Sequence, residues 1–261
     1  MVDFGDELPE DAVLADGRRG DEMHNFYAYD YHRQFAAAFE ERRGDDYVLF
    51  ARADSAGDQR WITHFAGDHR TNFTGLQSAM TGALHLSSCG FSIWSTELGG
   101  FFGLPDPKVY SHWVEFSTFS PLMRMHGTEP REPWAYGEEA LAHYKVYADV
   151  RMRLVDYLHR QAAESHRTGL PMMRPMALAF PDQPELATID DQYLLGTDLL
   201  VAPVLDEGDS RRVTFTRGQW TNFWTGEVVE GGQTKTVAAP LGRIPVYGRA
   251  GVRLDAFTGT R

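Results

Sequence analysis

The sequence predicts an α/β fold followed by a segment of antiparallel β-structure. Two observations predict it. Short apolar runs alternate with longer helical patterns up to about residue 182, and beyond that point glycine and threonine become frequent. Strands that alternate with helices are typical of a parallel sheet, because parallel neighbours need a crossover connection that is usually a helix. We therefore expect two domains, 1–182 and 183–261.

Individual elements follow from local patterns. Apolar runs that end at polar residues predict strands at 47–52, 61–66, 90–94 and 171–176. Near-helical spacing of apolar residues predicts helices at 29–42, 76–86, 107–118 and 138–167. Gly169 suits the end of the last helix. The runs 212–215 and 233–237 alternate as antiparallel strands do.

Composition excludes several classes of function. A chain of 261 residues can bury a sizeable core. The sequence contains no long apolar run of the kind that predicts a membrane span. The formal net charge of −12 disfavours nucleic acid, because phosphate binding needs clustered lysine and arginine. The single Cys89 cannot form an internal disulfide, which favours a reducing compartment such as the cytoplasm.

Two carboxylates stand in glycine-bearing loops. Val2 leads into Asp3, with Gly5 following, and Phe65 leads into Gly67-Asp68. Apolar residues before a carboxylate and a glycine indicate a strand that ends in a loop. Two facing carboxylates can act as nucleophile and acid/base in glycoside hydrolysis. Taken alone, each aspartate is better explained as an ordinary surface or turn residue, because the chain has 37 acidic residues.

The segments around these carboxylates resemble one family, in order and over nearly the whole chain. They are Val2-Asp3-Phe4-Gly5-Asp6, Leu49-Phe50-Ala51-Arg52, Phe65-Ala66-Gly67-Asp68, 90–101, 119–127, 131–134, 174–175, 192–196 and 200–204. This series is similar to glycoside hydrolase family 31, the retaining α-glucosidase and α-xylosidase group. The segments Glu7-Leu8-Pro9 and 22–25 are most similar to its sulfoquinovosidase branch.

The resemblance implies a fold and a mechanism. In that family the nucleophile follows the fourth strand of a (β/α)8 barrel, so residues 1–182 are expected to form the C-terminal half of a TIM-type barrel. Residues 183–261 are expected to form an antiparallel β-sandwich. Asp3 would be the nucleophile and Asp68 the general acid/base, with no cofactor. Arg52 would contact the sugar and both carboxylates, and His126 would hydrogen-bond sugar hydroxyls.

Further substrate-binding candidates come from the same segments. Phe65 and Trp94 can offer apolar faces to a pyranose ring, although core packing is the more usual role of any one aromatic residue. Glu97 stands where the family has an aspartate, and Phe65-Ala66 replaces its Trp-Ser. Phe101 stands where the sulfoquinovosidase branch has a tyrosine. The sugar and the linkage therefore stay open.

Histidines near the second carboxylate do not predict a metal site. His64 and His69 flank Asp68, but the chain has no cysteine partner for them and no His-Glu-x-x-His pattern. The expected partner is a carbohydrate. The alternative interpretation is a non-catalytic or carbohydrate-binding fragment. Open strand edges of a half-barrel would favour self-association or association with a separate N-terminal half.

Overall fold

Helices and short strands alternate through the first part of the chain, and antiparallel strands dominate the last part. The computed structural model describes residues 1–258. It contains a first unit, Met1–Phe65, and a second unit that begins at Ala66. The mixture of helix and sheet agrees with the predicted α/β class followed by antiparallel sheet.

The first unit contains one long helix and two parallel strands. Helix α1 is Gly20–Arg43, strand β1 is Leu49–Ala51 and strand β2 is Ile62–Phe65. Leu49 pairs with Ile62 in parallel register. Helix α1 begins well before the predicted residue 29, because the Glu22 carboxylate accepts the backbone N–H of Arg19 at 3.1 Å and so caps the first turn.

A tight turn carries Asp3 past the end of β1. The backbone N–H of Val2 donates to the Phe50 carbonyl at 2.8 Å. Phe4 and Gly5 then adopt positive φ angles of 65° and 90°, a conformation that non-glycine residues rarely adopt. A Cβ on Gly5 would lie 2.5 Å from the Tyr31 ring of α1. Only glycine therefore fits between this turn and the helix.

Three helices form the first part of the second unit. Helix α2 is Phe73–Ser88, helix α3 is Pro107–Thr118 and helix α4 is Gly137–Thr168, with the short strand β3 at Trp94–Ser95. The prediction for α3 is confirmed at both ends. The Asp106 side chain accepts the N–H of Lys108 at 2.8 Å, and Pro107 occupies the first helical position.

The remaining strands form two antiparallel sheets. The strands are β4 Met173–Pro175, β5 Tyr193–Leu195, β6 Leu199–Val201, β7 Ser210–Phe215, β8 Gln219–Asn222, β9 Val228–Glu230, β10 Gln233–Ala238 and β11 Val246–Arg249. Two short helices, α5 Met176–Ala179 and α6 Asp255–Thr258, also belong to this part of the chain. One sheet has the order β4-β5-β6-β11-β8-β9, and β7 pairs with β10 in the other. Strand β4 precedes residue 182 but pairs antiparallel with β5.

Both faces of the larger sheet are buried at strands β5 and β6. Tyr193 and Val201 pack into a core shared with helices α2, α3 and α4. Leu194 and Leu200 point to the opposite face and join a second core around Trp220. Successive side chains of a strand point to opposite faces, so β5 and β6 each contribute to both cores. This arrangement explains why β5 and β6 are apolar throughout instead of alternating.

A buried carboxylate connects the helices to the antiparallel part. Glu115 on α3 lies with Oε2 3.0 Å from His112 Nδ1. Its Oε1 accepts the Tyr147 hydroxyl of α4 at 3.3 Å and the backbone N–H of Gly242 at 2.6 Å. His143 Nε2 lies 3.7 Å from the same oxygen. One carboxylate thus joins α3, α4 and the loop before β11.

No helix within residues 1–258 is both long enough and apolar enough to cross a membrane.

The buried His143 predicts a pH dependence of stability. Burial lowers the pKa of His143, and the smaller effect of the Glu115 charge opposes this. In the unfolded chain the His143 imidazole binds a proton near pH 6.5, whereas in the folded chain it stays neutral to lower pH. The unfolding free energy therefore falls as the pH drops below about 7. We expect His143→Gln to remove up to about 1.4 kcal/mol per pH unit of this slope. Urea unfolding between pH 5 and 7.5 measures it.

The matched control is His159→Gln, which changes an exposed histidine on the same helix. It should leave the slope of unfolding free energy against pH at the wild-type value. An unchanged slope in His143→Gln would contradict the assignment.

The turn after Asp3 predicts a steric cost. We expect Gly5→Ala to lower the unfolding free energy by about 1–3 kcal/mol more than Gly17→Ala does. Gly17 has a similar φ of 86° with no atom near the position of a new Cβ, so it reports the backbone cost alone. Equal losses of unfolding free energy in chemical denaturation would show that Tyr31 does not constrain the turn.

Candidate active site

Asp3 lies at the start of the chain's first turn with its carboxylate partly exposed. The Tyr31 hydroxyl donates to its carbonyl oxygen at 3.0 Å, and the N–H of Phe4 donates to Oδ1 at 2.8 Å. Backbone and side chain are therefore both restrained. No sequence pattern pointed to Tyr31, because only helix α1 brings it to this turn.

Arg52 contacts the Asp3 carboxylate. It directly follows β1, and its Nε lies 2.8 Å from Asp3 Oδ1, with exposed side-chain fractions of 21% for Arg52 and 30% for Asp3. The guanidinium carbon also lies 5.4 Å from the centroid of the Phe4 ring. A fixed positive charge therefore stands beside a carboxylate that solvent, and a ligand, can reach.

Two histidines of the first unit pair with carboxylates. His64 Nε2 lies 2.9 Å from Asp54 Oδ2, and His32 Nδ1 lies 3.3 Å from Asp58 Oδ1. The second pair is fully buried. Within residues 1–258, no group of three or more potential ligand residues is arranged to hold a metal ion.

Asp68 is exposed in the first loop of the second unit. Gly67 precedes it with a positive φ of 78°, and the His69 carbonyl accepts the backbone N–H groups of Phe101 at 2.8 Å and Phe102 at 3.3 Å. Burial lowers the pKa of the His69 imidazole, which favours its neutral form. The loop after Asp68 is thus fixed against the loop that contains Phe101.

Glu97 and Arg124 form an ion pair in the second unit. Glu97 Oε1 lies 3.2 Å from Arg124 Nη1, and only 1% of the Glu97 side chain is exposed. The N–H of Leu98 donates to the Arg124 carbonyl at 3.0 Å, so backbone and side chains are both joined. His126 follows closely, and its ring centroid lies 5.3 Å from that of Phe101.

The aromatic candidates Phe65 and Trp94 are buried. Phe65 is 2% exposed, and its ring lies 5.0 Å from that of Phe50. Trp94 is 1% exposed, and its ring lies 6.0 Å from that of Phe116. Both rings pack against other aromatic side chains.

The candidate residues thus fall into local groups. Asp3 contacts Arg52 in the first unit, whereas Glu97 contacts Arg124 and Phe101 contacts His126 in the second unit. The second unit also contains a residue to which sequence reasoning assigned no role. The buried Arg131 hydrogen-bonds the loop 100–103.

Known proteins resemble this chain over almost its full length. The α-xylosidase of Emericella nidulans is 34% identical, covering 96% of this chain and 34% of that protein. The sulfoquinovosidase of Escherichia coli is 36% identical, covering 96% and 39% respectively. A solved structure is also similar, with a TM-score of 0.88 and 32% identity. It is the cycloalternan-degrading enzyme of Trueperella pyogenes in complex with a covalent intermediate, covering 96% of this chain and 36% of that one.

The chain spans between a third and two fifths of the length of these relatives. A family model described as the TIM-barrel domain of glycosyl hydrolases family 31 matches residues 3–161. The model of the family's C-terminal domain matches residues 169–252. The chain therefore belongs to glycosyl hydrolase family 31.

Proposed function

We propose that this chain carries the catalytic carboxylates of a retaining α-glycoside hydrolase. Asp3 is the nucleophile and Asp68 the general acid/base, and the reaction needs neither metal nor cofactor. The observation that carries the proposal is the Asp3–Arg52 contact at 2.8 Å, in a turn restrained by Tyr31. A nucleophile must be held in one orientation and stay accessible, and this turn meets both requirements.

The chemistry is a double displacement. Asp68 protonates the glycosidic oxygen while Asp3 attacks the anomeric carbon, which releases the alcohol and leaves a β-linked glycosyl-enzyme. Asp68 then takes a proton from water, which attacks the same carbon and frees Asp3. Retention of this kind requires carboxyl groups about 5–5.5 Å apart. The Trueperella pyogenes enzyme was solved in complex with a covalent intermediate, which supports the same chemistry here.

Substrate recognition is proposed to use Arg52, Glu97 and His126. Arg52 already pairs with the nucleophile, and the buried Glu97 carboxylate would act on the sugar by holding Arg124, whose side chain is 19% exposed and can bind hydroxyls. His126 lies beside Phe101 and can donate or accept a hydrogen bond. Phe65 and Trp94 complete the proposed set, and their burial favours an influence on the shape of the site.

The finer architecture belongs to the same proposal. Residues 1–182 form the second half of a (β/α)8 barrel, and the range 183–261, of which 259–261 lie outside the described residues, corresponds to an antiparallel β-sandwich. The parallel pairing of β1 with β2 supports the first assignment, because barrel strands are parallel. The antiparallel order of the larger sheet supports the second.

Hydrolysis of a panel of aryl α-glycosides tests the function. The panel holds the glucoside, xyloside, galactoside and sulfoquinovoside, since the relatives differ in their sugar. We expect one of them to be cleaved with an α-configured first product, seen by proton NMR. Asp3→Asn should abolish cleavage, and Asp68→Asn should slow it by about 10²–10⁴-fold. The control Asp46→Asn changes an exposed carboxylate of the first unit and should have no effect.

Azide distinguishes the two roles. With an α-glycosyl fluoride as substrate, Asp68→Ala should form the α-glycosyl azide, because azide attacks the glycosyl-enzyme without needing a base. Asp3→Gly should form the β-azide, because azide then replaces the missing nucleophile. The opposite pattern would exchange the assignments. No cleavage of any substrate by a folded sample would favour the alternative, a carbohydrate-binding fragment or one that needs a separate N-terminal half.

A further inference from the structure

Arg131 is a buried cation whose hydrogen bonds, within residues 1–258, all end on neutral oxygens. The residue is only 4% exposed. Nη1 donates to the carbonyls of Glu129 and Pro130 at 3.0 and 3.1 Å, and the Tyr136 oxygen lies 3.4 Å away. Burying a charge is costly unless polar groups surround it. The carbonyl dipoles must therefore be held in a fixed arrangement around this guanidinium.

The other side of the guanidinium holds a glycine-rich loop. Nε donates to the Gly100 carbonyl at 2.9 Å, and Nη2 donates to the carbonyls of Phe101 and Gly103 at 2.9 and 2.8 Å. Because the guanidinium is planar and rigid, these bonds fix the direction of successive peptide groups. Arg131 thus clamps the loop 100–103 to its own segment.

This clamped loop lies directly against the residues that follow Asp68. Phe101 and Phe102 donate their backbone N–H groups to the His69 carbonyl, and Phe102 forms an isolated parallel bridge with Arg70. A Cβ on Gly100 would lie 2.8 Å from the Arg70 carbonyl oxygen, so the two backbones are in close contact. A movement of the loop 100–103 would therefore move the backbone next to Asp68.

We propose that Arg131 is a positioning residue for Asp68, acting through the loop 100–103 and the His69 carbonyl. This inference rests on the proposed role of Asp68 as the acid. Cleavage of the bond between the anomeric carbon and the leaving oxygen needs the Asp68 proton when the leaving group is an alcohol. It needs little assistance when the leaving group is fluoride. A displaced Asp68 therefore impairs alcohol departure selectively.

The test compares Arg131→Lys with Arg151→Lys. Arg151 is a matched control, because within residues 1–258 its guanidinium hydrogen-bonds only the carbonyls of Thr118, Ser120 and Pro121 and makes no hydrogen bond to residues 67–70 or 100–103. Two readouts are taken: backbone amide exchange at Phe101 and Phe102, and kcat/KM for a methyl α-glycoside and an α-glycosyl fluoride. The sugar is the one that the aryl glycoside panel identifies. The ratio kcat/KM reports only the first, acid-assisted step.

We expect Arg131→Lys to speed amide exchange at Phe101 and Phe102. We also expect it to lower kcat/KM for the methyl glycoside about 100-fold, while kcat/KM for the fluoride changes less than about threefold. Arg151→Lys should change neither exchange at these amides nor the ratio of the two substrates. If Arg131→Lys does not fold, Gly127→Ala replaces it, because a Cβ there would lie 2.6 Å from Arg131 Nη2 and disturb the clamp.

Two results would overturn the inference about Arg131 and leave the proposed function intact. One is unchanged exchange at Phe101 and Phe102, which needs no activity to measure. The other is an equal loss for both substrates, while Asp68→Asn still spares the fluoride. If Asp68→Asn itself slows both substrates equally, Asp68 is not the acid, and the proposed function fails together with the inference. These outcomes are distinguishable from one another.

Discussion

Buried loops must satisfy their own backbone polar groups, and much of the second unit depends on this constraint. Residues 94–100 are all buried although they include only a two-residue strand. Their peptide groups cannot rely on bulk water, since an unpaired buried group costs about 1–3 kcal/mol. The Arg131 guanidinium, the Arg124 carbonyl and the His69 carbonyl supply partners for this loop and its continuation. These hydrogen bonds take the place of the ones that neighbouring strands would supply.

The sequence predictions were correct where the local signals were strong. Helix α3 was predicted at both ends because Asp106 and Pro107 are strong start signals. The first turns of α1 were missed because residues 20–28 show little apolar periodicity, and the Glu22 cap that starts them is a weak signal without an N-cap Ser or Thr. The pairing of β4 with β5 was also not predictable, because a three-residue strand does not show which sheet it will join.

The same distinction between local motifs and tertiary contacts applies to the candidate site. Asp3, Asp68 and Arg52 could be proposed because each stands in a continuous motif of a few residues. Their restraints could not, because Tyr31 approaches Asp3 from the middle of α1, and Arg131 reaches the loop 100–103 across a long sequence separation. Contacts of that kind depend on the tertiary fold. The burial of Trp94 and Phe65 is similarly a property of their neighbours, since an aromatic residue in a motif suits a core or a sugar equally well.

The carboxylate of Glu115 has a consequence for how this chain is divided. The two family models meet between residues 161 and 169, inside or just past helix α4. Yet Glu115 accepts the N–H of Gly242, and the Tyr147 hydroxyl of α4 donates to the same oxygen. Truncation at that boundary would remove the hydrogen bond from Gly242 to the buried Glu115 carboxylate. It would also expose the apolar faces of α2, α3 and α4 that β5 and β6 cover. The boundary separates two family models, but helices α3 and α4 share one hydrophobic core with strands β5 and β6 inside the second unit.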